Sequence, residues 1–390
     1  MDTLEKDLRF LSDELPDRQA QTDEEKRAAQ YVCERLGASV ENARRVDFPG
    51  LGNQRLLFPA YCGEFVFVCL VSYWWPTVAF FYGLAIFLAY MAEFIGYPVF
   101  SRFLPHYESS GAVGLVKSGD ASCFLVFTAY LDTDDNPFAR LEAGLAKYYL
   151  HYAVILAMVC VVAICGIDAL GVIYSQVNPH TWWMRWAGLG VFCFFALAGL
   201  VRAMGSRENK GANNNASGVA ALLHIADKQR EHPFEDATVL FYAAGSHHAN
   251  MAGMRTMLTE NLGVAENAFI INIEAVGDGH LHYTRAEGIL HQMPCDLDLI
   301  ESAGKLAGKC QAAPVAIHNR RTNAYLPLMR GARAISVMRL DDDGLPAYYG
   351  GAKDTREFVK MDAVRQAALF AEEIGRDIVW RHFLLQDVEE

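Results

Sequence analysis

The sequence lacks the concentrated positive charge on which nucleic-acid binding depends. Its 390 residues carry a formal net charge of −12 and contain no run of basic side chains. Contacts with phosphate groups require clustered lysine and arginine. We therefore exclude nucleic acid as a partner.

The sequence also lacks a spaced cysteine framework and an apolar segment at its start. The nine cysteines are an odd number, and no two of them are spaced as Cys-x-x-Cys. This usage indicates reduced thiols in a cytosolic environment. The first residues, MDTLEKDLRF, include no apolar segment, so we expect no secretory signal peptide.

Charge is nearly absent from two long stretches of the chain. No charged residue occurs between Phe65 and Ala92, and Asp168 is the one charged residue of segment 151–174. A membrane-spanning helix needs about 20 apolar residues, so each stretch has room for two. We predict one transmembrane helical hairpin at 56–104 and a second at 147–204, with the lipid bilayer as partner.

Each predicted hairpin has a turn that is typical of a membrane interface. Trp74-Trp75-Pro76 divides the first, and segment 175–185, SQVNPHTWWMR, is a predicted loop in the second. Tryptophan is enriched at such interfaces. Arg185 is the one arginine or lysine in these turns. Several arginines and lysines, in contrast, lie where the hairpins join the rest of the chain. The positive-inside rule then predicts an integral membrane protein with a cytoplasmic soluble domain.

The remaining chain alternates predicted strands with predicted helices. The apolar runs predict strands at 121–133, 237–243, 268–275 and 332–340. The 3.6-residue patterns predict helices at 24–36, 217–228, 295–308 and 362–383. The first helix has a predicted capping box, Thr22 to Glu25. Such alternation indicates an α/β domain with a mainly parallel sheet.

Six segments of this remaining chain resemble, in order, motifs of the di-zinc aminopeptidases, family twenty-eight of the metallopeptidases. They are 18–36, 129–133 (AYLDT), 211–218 (GANNNASG), 241–253, 271–277 (INIEAVG) and 349–355 (YGGAKDT). That family includes leucine aminopeptidases and glutamate carboxypeptidase. Its relatives nicastrin and transferrin receptor keep the fold without the peptidase chemistry.

The resemblance implies a three-layer α/β/α domain around a mixed, mainly parallel sheet, built from residues 1–55, 105–146 and 205–390. In the family, two zinc ions lie at the carboxyl edge of that sheet, which is where open α/β sheets bind ligands. Both predicted hairpins fall outside the family pattern. They are therefore identified as insertions, which add about four transmembrane helices to the fold.

The resemblance also implies which positions correspond to the metal ligands, and the first two carry other residues. The family's first His ligand corresponds to Tyr130, and its bridging Asp corresponds to Asn214. Asp132 corresponds to the Asp that orients the first His. A phenol and a neutral amide are poor replacements for an imidazole and a bridging carboxylate at a pair of cations.

The later ligand positions are changed as well. The family's Glu pair, which supplies a ligand and the general base, corresponds to His247-His248. Its next Asp ligand corresponds to Glu274, and its last His corresponds to Gly350, which has no side chain. We expect no catalytic residue and no bound cofactor. His247, His248 and Glu274 are the best candidates for a residual metal site.

These substitutions predict a membrane-anchored pseudo-peptidase that binds other proteins, as an assembly subunit of a membrane complex contacted through its transmembrane helices. An alternative is a membrane-bound metallohydrolase, a peptidase or amidase, that uses His247, His248 and Glu274 with one metal or as acid and base. A third interpretation recruits new ligands such as His318 or Asp341, although no spacing supports it.

Overall fold

The computed structural model describes residues 2–118, 121, 123–134, 136, 139–143, 145–173, 179–205, 208–260, 267–289 and 291–389. The chain divides into two compact units. The first contains residues 1–52, 106–144 and 207–390, and the second contains residues 53–105 and 145–206.

One mixed sheet of nine strands forms the centre of the first unit among the described residues. The strands are β1 (Asn42–Leu51), β2 (His106–Val116), β3 (Cys123–Tyr130), β4 (Ala237–Ala244), β5 (Ala268–Ile273), β6 (His280–Glu287), β7 (Met293–Pro294), β8 (Ala313–Ile317) and β9 (Arg333–Leu340). Their order is β1-β2-β4-β3-β5-β9-β6-β7, and β8 pairs with β6.

Parallel pairing is concentrated in the middle of this sheet. The pairs β4–β3, β3–β5 and β5–β9 are parallel, as is the pair β8–β6. The pairs β1–β2, β2–β4, β6–β9 and β6–β7 are antiparallel. The prediction of an α/β fold with a mixed sheet is confirmed, and the four predicted strands are β3, β4, β5 and β9.

Twelve α-helices occur in the part of the chain that the structure describes. They are α1 (Thr3–Arg9), α2 (Asp23–Ser39), α3 (Leu57–Val71), α4 (Pro76–Phe94), α5 (Ala139–Ala143), α6 (Leu145–Ile173), α7 (Pro179–Met204), α8 (Ser217–Lys228), α9 (Ala252–Glu260), α10 (Leu297–Cys310), α11 (Tyr325–Met329) and α12 (Met361–Glu389). Short π-helical turns occur at Phe10–Glu14 and Ala212–Ala216, and 3₁₀ turns at Gln54–Leu56, Ser101–Phe103 and Arg356–Phe358.

Helices cover both faces of the sheet, which gives the three layers that the resemblance implies. Successive side chains of a strand point to opposite faces. In β3, Leu125 and Phe127 accordingly belong to one buried cluster with residues of α2, α8, α10 and α12, while Val126 belongs to a second cluster with residues of α9 and α11. Because both faces are buried, the central strands are continuous apolar runs, which explains why they were predictable.

The capping box predicted for α2 is only half formed. The side chain of Thr22 accepts a hydrogen bond from the backbone N–H of Glu25 at 3.3 Å. The Glu25 carboxylate, however, accepts from the backbone N–H of Gln21 and from the more distant Ser109 and Ser246. Long-range contacts in the buried interior have therefore replaced the local return bond.

The second unit is a helical bundle of α3, α4, α6 and α7. All four helices are long and apolar enough to cross a membrane. Small residues allow close packing within it. A Cβ at Gly188 of α7 would lie 2.8 Å from Val161 of α6, and the ring of Phe65 in α3 is stacked on Phe192 in α7 with centroids 4.9 Å apart.

The predicted turns are shorter than the sequence suggested. Helix α4 begins at Pro76, so the Trp-Trp-Pro turn is confirmed. Helix α7 begins at Pro179, so residues 180–185, which were predicted as loop, are helical instead. Proline is favoured in the first helical turn because its missing N–H has no partner there. Residues 175–178 of the predicted loop lie outside the described part.

Asp168, the charged residue of an otherwise uncharged stretch, has an arginine partner. Arg185 Nε lies 3.3 Å from Asp168 Oδ2, and both side chains are largely buried. The guanidinium also donates to the Ser72 carbonyl at 2.8 Å and lies over the ring of Tyr73. Residues from α6, α7 and the end of α3 thus meet at one buried polar cluster.

Candidate functional site

The candidate site lies where the parallel strands β3, β4 and β5 end. Tyr130 is the last residue of β3, the segment 245–251 follows β4, and Glu274 follows β5. Asn214 lies in the π-helical turn that leads into α8. Gly218 lets that turn approach the end of β5, because a Cβ there would lie 2.4 Å from the Ile273 carbonyl oxygen.

Two buried carboxylates hold the backbone of the segment that carries the two histidines. Asp132 accepts hydrogen bonds from the backbone N–H groups of His247 and His248, at 2.7 and 2.8 Å. Glu25 accepts from the N–H of Ser246 at 2.7 Å. Burial is the largest cause that raises the pKa of both carboxyls, and the charge of Glu25 raises the pKa of Asp132 further. Asp132 therefore positions the His247-His248 backbone rather than a side chain.

The imidazole of His247 is enclosed by protein groups. Its ring is stacked on Tyr130, with centroids 4.1 Å apart and 14° between the planes. Its Nδ1 lies 2.7 Å from Asn323 Oδ1. Burial, the largest cause, lowers the pKa of His247 to about 4. The ring is therefore neutral near pH 7, and its Nδ1 is engaged by the side-chain amide of Asn323.

Tyr130 links this histidine to Asn214. Its hydroxyl donates a hydrogen bond to the Asn214 carbonyl oxygen at 3.0 Å. Burial raises the pKa of Tyr130 well above its ordinary value, and the negative charge of Glu274 adds to the rise. The phenol therefore keeps its proton. His248 lies close to both, with its ring centroid 5.5 Å from that of Tyr130 and 4.9 Å from that of His247.

Glu274 faces an arginine. Its Oε2 accepts a hydrogen bond from Asn272 Nδ2 at 2.9 Å, and its Oε1 lies 3.8 Å from Arg320 Nε. Burial raises the pKa of Glu274, while the positive charge of Arg320 opposes that rise. A buried cation thus lies beside Glu274, the acidic side chain that the resemblance aligns with a metal ligand.

Three further residues named from the sequence have contacts with other groups. Gly350 has a positive φ of 58°, and a Cβ there would lie 2.5 Å from Ala139. His318 Nδ1 is exposed and contacts Gln292 at 2.6 Å. Asp341 pairs with Arg140 at 3.0 Å and accepts from the N–H groups of Asp343 and Leu345. His318 and Asp341 therefore do not supply replacement ligands in this arrangement.

Sequence reasoning missed two residues of the site, Arg320 and Asn323. Both lie in the polar run Asn319-Arg-Arg-Thr-Asn323, which joins β8 to α11 and is buried at both positions. Five consecutive polar residues next to apolar segments are the signal that was available. Their partners His247 and Glu274 are far away in sequence, so that signal does not identify the contacts.

The arrangement does not fit the zinc pair that the resemblance implies. Within the described ranges, no group of three or more His, Cys, Asp or Glu side chains is placed to hold a metal ion. A catalytic zinc ion takes three protein ligands. His247 Nδ1 is engaged by Asn323, and Glu274 by Asn272 and the cation of Arg320.

Comparison with known proteins identifies the fold. No family model and no curated protein matches the sequence. Among solved structures, the zinc aminopeptidase BSAP of Bacillus subtilis is similar with a TM-score of 0.56 and 12% identity, over 95% of this chain and 93% of that one. The LapA aminopeptidase of Legionella pneumophila has a TM-score of 0.54 and 8% identity, over 96% and 71%. A glutaminyl cyclase of Tannerella forsythia has a TM-score of 0.51 and 11% identity, over 96% and 95%. The chain therefore has the fold of the zinc aminopeptidases.

Proposed function

We propose that this chain is a membrane-anchored protein with the aminopeptidase fold that does not hydrolyse peptides and acts as a binding or assembly subunit of a membrane complex. The four apolar helices would anchor it in the bilayer and contact other subunits. By the positive-inside rule, the α/β unit would lie in the cytoplasm. No resident metal is part of the proposal.

The enclosure of His247 is the observation that carries this proposal. A hydrolase needs an accessible base or a metal-bound water at this edge of the sheet. Here the imidazole is covered by the Tyr130 ring and bonded to Asn323, and its low pKa makes it a weak base. The bridging carboxylate position is held by Asn214, whose backbone carbonyl accepts from Tyr130.

One observation favours the alternative, a membrane-bound peptidase or amidase with a rebuilt site. His247 and His248 are adjacent, and Glu274 is a buried acid whose pKa is raised by burial. A raised pKa is common for a carboxyl group that acts as a general acid. In this version, His248 or a single zinc ion would supply the base, and a compound with an amide bond would be the substrate.

Metal content and peptide turnover, measured on the full chain in detergent, separate the two. We expect less than about a tenth of a zinc ion per chain by elemental mass spectrometry, and no hydrolysis of aminoacyl p-nitroanilides above the level of a His247→Ala/His248→Ala variant. Zinc near one ion per chain that is lost in the double variant, together with turnover, would reject the proposal in favour of the hydrolase.

The assembly role has its own test. Chemical crosslinking in intact membranes, followed by native size analysis, is expected to place the chain in a complex larger than its own mass. A chain that migrates as a free monomer after crosslinking would contradict this role even if zinc and turnover were both absent.

A further inference from the structure

We infer that the guanidinium of Arg320 is the resident cation of this site, and that it occupies the electrostatic place of a metal ion and thereby excludes metal binding at Glu274. The inference rests on the proposed absence of zinc chemistry and names the residue responsible for it. It is carried by the burial and the partners of Arg320 and Glu274.

Both charged groups are removed from water. The side chain of Glu274 is 3% exposed and that of Arg320 is 7% exposed, and Arg320 Nε lies 3.8 Å from Glu274 Oε1. A buried charge is tolerated when an opposite charge compensates it, because the loss of hydration is costly. The two groups therefore compensate each other at the carboxyl edge of β5.

Apart from Glu274, Arg320 has few partners that would stabilise it in a buried position. Its Nη2 contacts the sulfur of Met338 at 2.9 Å, which is a weak acceptor. Among the described residues, its Nε and Nη1 have no hydrogen-bond acceptor. An arginine placed for its hydrogen bonds would use its planar fork more fully. The positive charge itself is therefore what this position requires.

The charge of Arg320 acts on the other residues of the site. The charge lowers the pKa of His247, although burial and the hydrogen bond with Asn323 have larger effects on that pKa. It also opposes the rise in the pKa of Tyr130 that burial and Glu274 produce. One cation thus pairs with the carboxylate of Glu274 and acts electrostatically on the phenol and the imidazole.

Glu274 is held from beneath by a chain of buried polar groups. Asn272 Nδ2 donates both to Glu274 and to the hydroxyl of Ser336, at 2.9 and 3.1 Å. The Ser336 hydroxyl donates to Thr322 at 3.0 Å, and Thr322 is bonded to the buried carboxyl of Glu287. Connected polar groups restrict the side chains that they contact. Glu274 is therefore held near Arg320, and a second cation there would meet the charge of the guanidinium.

The test uses the full chain in detergent, with ZnCl₂ as the probe and thermal unfolding as the readout. Arg320→Met removes the charge and keeps much of the length, and Arg320→Lys keeps the charge. Arg320→Met/Glu274→Gln removes both charges. We expect Arg320→Met to unfold about 5 °C or more below the wild type, and the double variant to recover at least half of that loss.

Zinc separates an electrostatic role from a merely structural one. We expect added ZnCl₂ to raise the Tm of Arg320→Met but not the Tm of the wild type, of Arg320→Lys or of the double variant. Should Arg320→Met fail to fold without zinc, the inference is supported if Arg320→Met folds when zinc is present and the double variant folds without zinc. A double variant no more stable than Arg320→Met, or a zinc effect equal in wild type and Arg320→Met, would overturn the inference.

The same measurements distinguish a failure of this inference about Arg320 from a failure of the proposed function. Zinc and peptide turnover in the wild type would reject the proposed function. If the wild type is free of zinc and inactive, and Arg320→Met responds to zinc as the wild type does, only the role given to Arg320 is rejected.

Discussion

The ring of Tyr130 lies nearly parallel to the imidazole of His247, with centroids 4.1 Å apart and 14° between the planes. This contact joins two residues that the sequence resemblance aligns with metal-binding positions of the aminopeptidases. It covers one face of the imidazole and contributes to its burial, which keeps the ring neutral although the hydrogen bond with Asn323 raises the pKa. The pair is therefore the most direct place to test whether the site is closed.

We predict that His247 titrates with a pKa of about 4 and that the contact with Tyr130 is part of the reason. Tyr130→Ala opens the ring to water, so the pKa is expected to rise toward the ordinary value of about 6.5. Tyr130→Phe keeps the stacked ring and should leave the pKa low. NMR titration of the imidazole measures both, and a wild-type pKa near 6.5 would contradict the enclosure.

The same shift predicts how stability changes in mild acid. The folded-state pKa of His247 lies below the unfolded value, so the unfolded chain binds more protons between about pH 6.5 and 4. The stability that neutral His247 contributes is present above pH 6.5 and is lost as the pH falls through that window. Denaturation of wild type and His247→Asn at pH 7.5 and pH 5 is expected to show a smaller fall in the variant.

The buried carboxyl group of Asp354 gives the opposite dependence of stability on pH. Asp354 accepts from the N–H of Asn213 at 2.6 Å, and burial raises its pKa to about 7. Because the folded-state pKa exceeds the unfolded one, its contribution to stability is present below about pH 4 and is lost as the pH rises through 7. Asp354→Asn keeps the acceptor oxygen and removes the charge.

We therefore expect Asp354→Asn to be more stable than the wild type at pH 8, by up to about 4 kcal/mol, and to differ much less at pH 5. Chemical denaturation at the two pH values measures this, and the exposed Asp362→Asn controls for the loss of one carboxylate. Equal effects of Asp354→Asn at both pH values would show that Asp354 is ionised without penalty.

The sequence predicted the central strands because they are buried on both faces. The run 237–243 reappears as β4, Ala237–Ala244, and 268–275 as β5 with its last two residues outside the strand. Strand β1 was not predicted, because it pairs only with β2 and carries exposed charges such as Arg44 and Arg45. An edge strand of this kind has no continuous apolar run.

The sequence also predicted part of the candidate site. Local motifs placed Tyr130, His247 and Glu274 at the ends of strands and Asn214 just before a helix, and the fold brings these positions to one edge. The contacts that determine the chemistry are long-range. Asn323 reaches His247 across 76 positions, and Arg320 reaches Glu274 from another loop. Such pairings depend on the assembled sheet, and no periodicity in the sequence records them.

Gly218 gives a prediction about how the site is built. A Cβ there would lie 2.4 Å from the Ile273 carbonyl oxygen, which is backbone and has little freedom to move. Gly218→Ala should therefore destabilise the chain by about 1–3 kcal/mol and separate α8 from the end of β5. Gly308 in α10 is the matched control, since nothing lies within 4 Å of its added Cβ.

The control glycine is expected to behave in the opposite way. Gly308→Ala replaces glycine inside a helix, so we expect it to be neutral or to stabilise by up to about 1 kcal/mol. Thermal unfolding of both variants measures the contrast. If Gly218→Ala were as stable as Gly308→Ala, the close approach of α8 to β5 would be wrong.

The ion pair of Asp168 and Arg185 gives a prediction for the helical bundle. The two side chains are 9% and 12% exposed and lie 3.3 Å apart, in helices whose other residues are mostly apolar. Removing one partner leaves an unpaired charge in these surroundings, which costs about 3–5 kcal/mol in protein interiors. Removing both avoids that penalty, although the bond from Arg185 to the Ser72 carbonyl is also lost.

We therefore expect Asp168→Asn and Arg185→Met each to lower the unfolding temperature in detergent, and the double variant to be clearly more stable than the sum of the two effects. A coupling of about 1–3 kcal/mol is expected for residues in contact. Cys160→Ser, at an exposed position of α6, serves as a control and should change little. Strict additivity of the two charge substitutions would mean that the pair does not hold α6 against α7, and that Arg185 is retained for its contacts with Ser72 and Tyr73 instead.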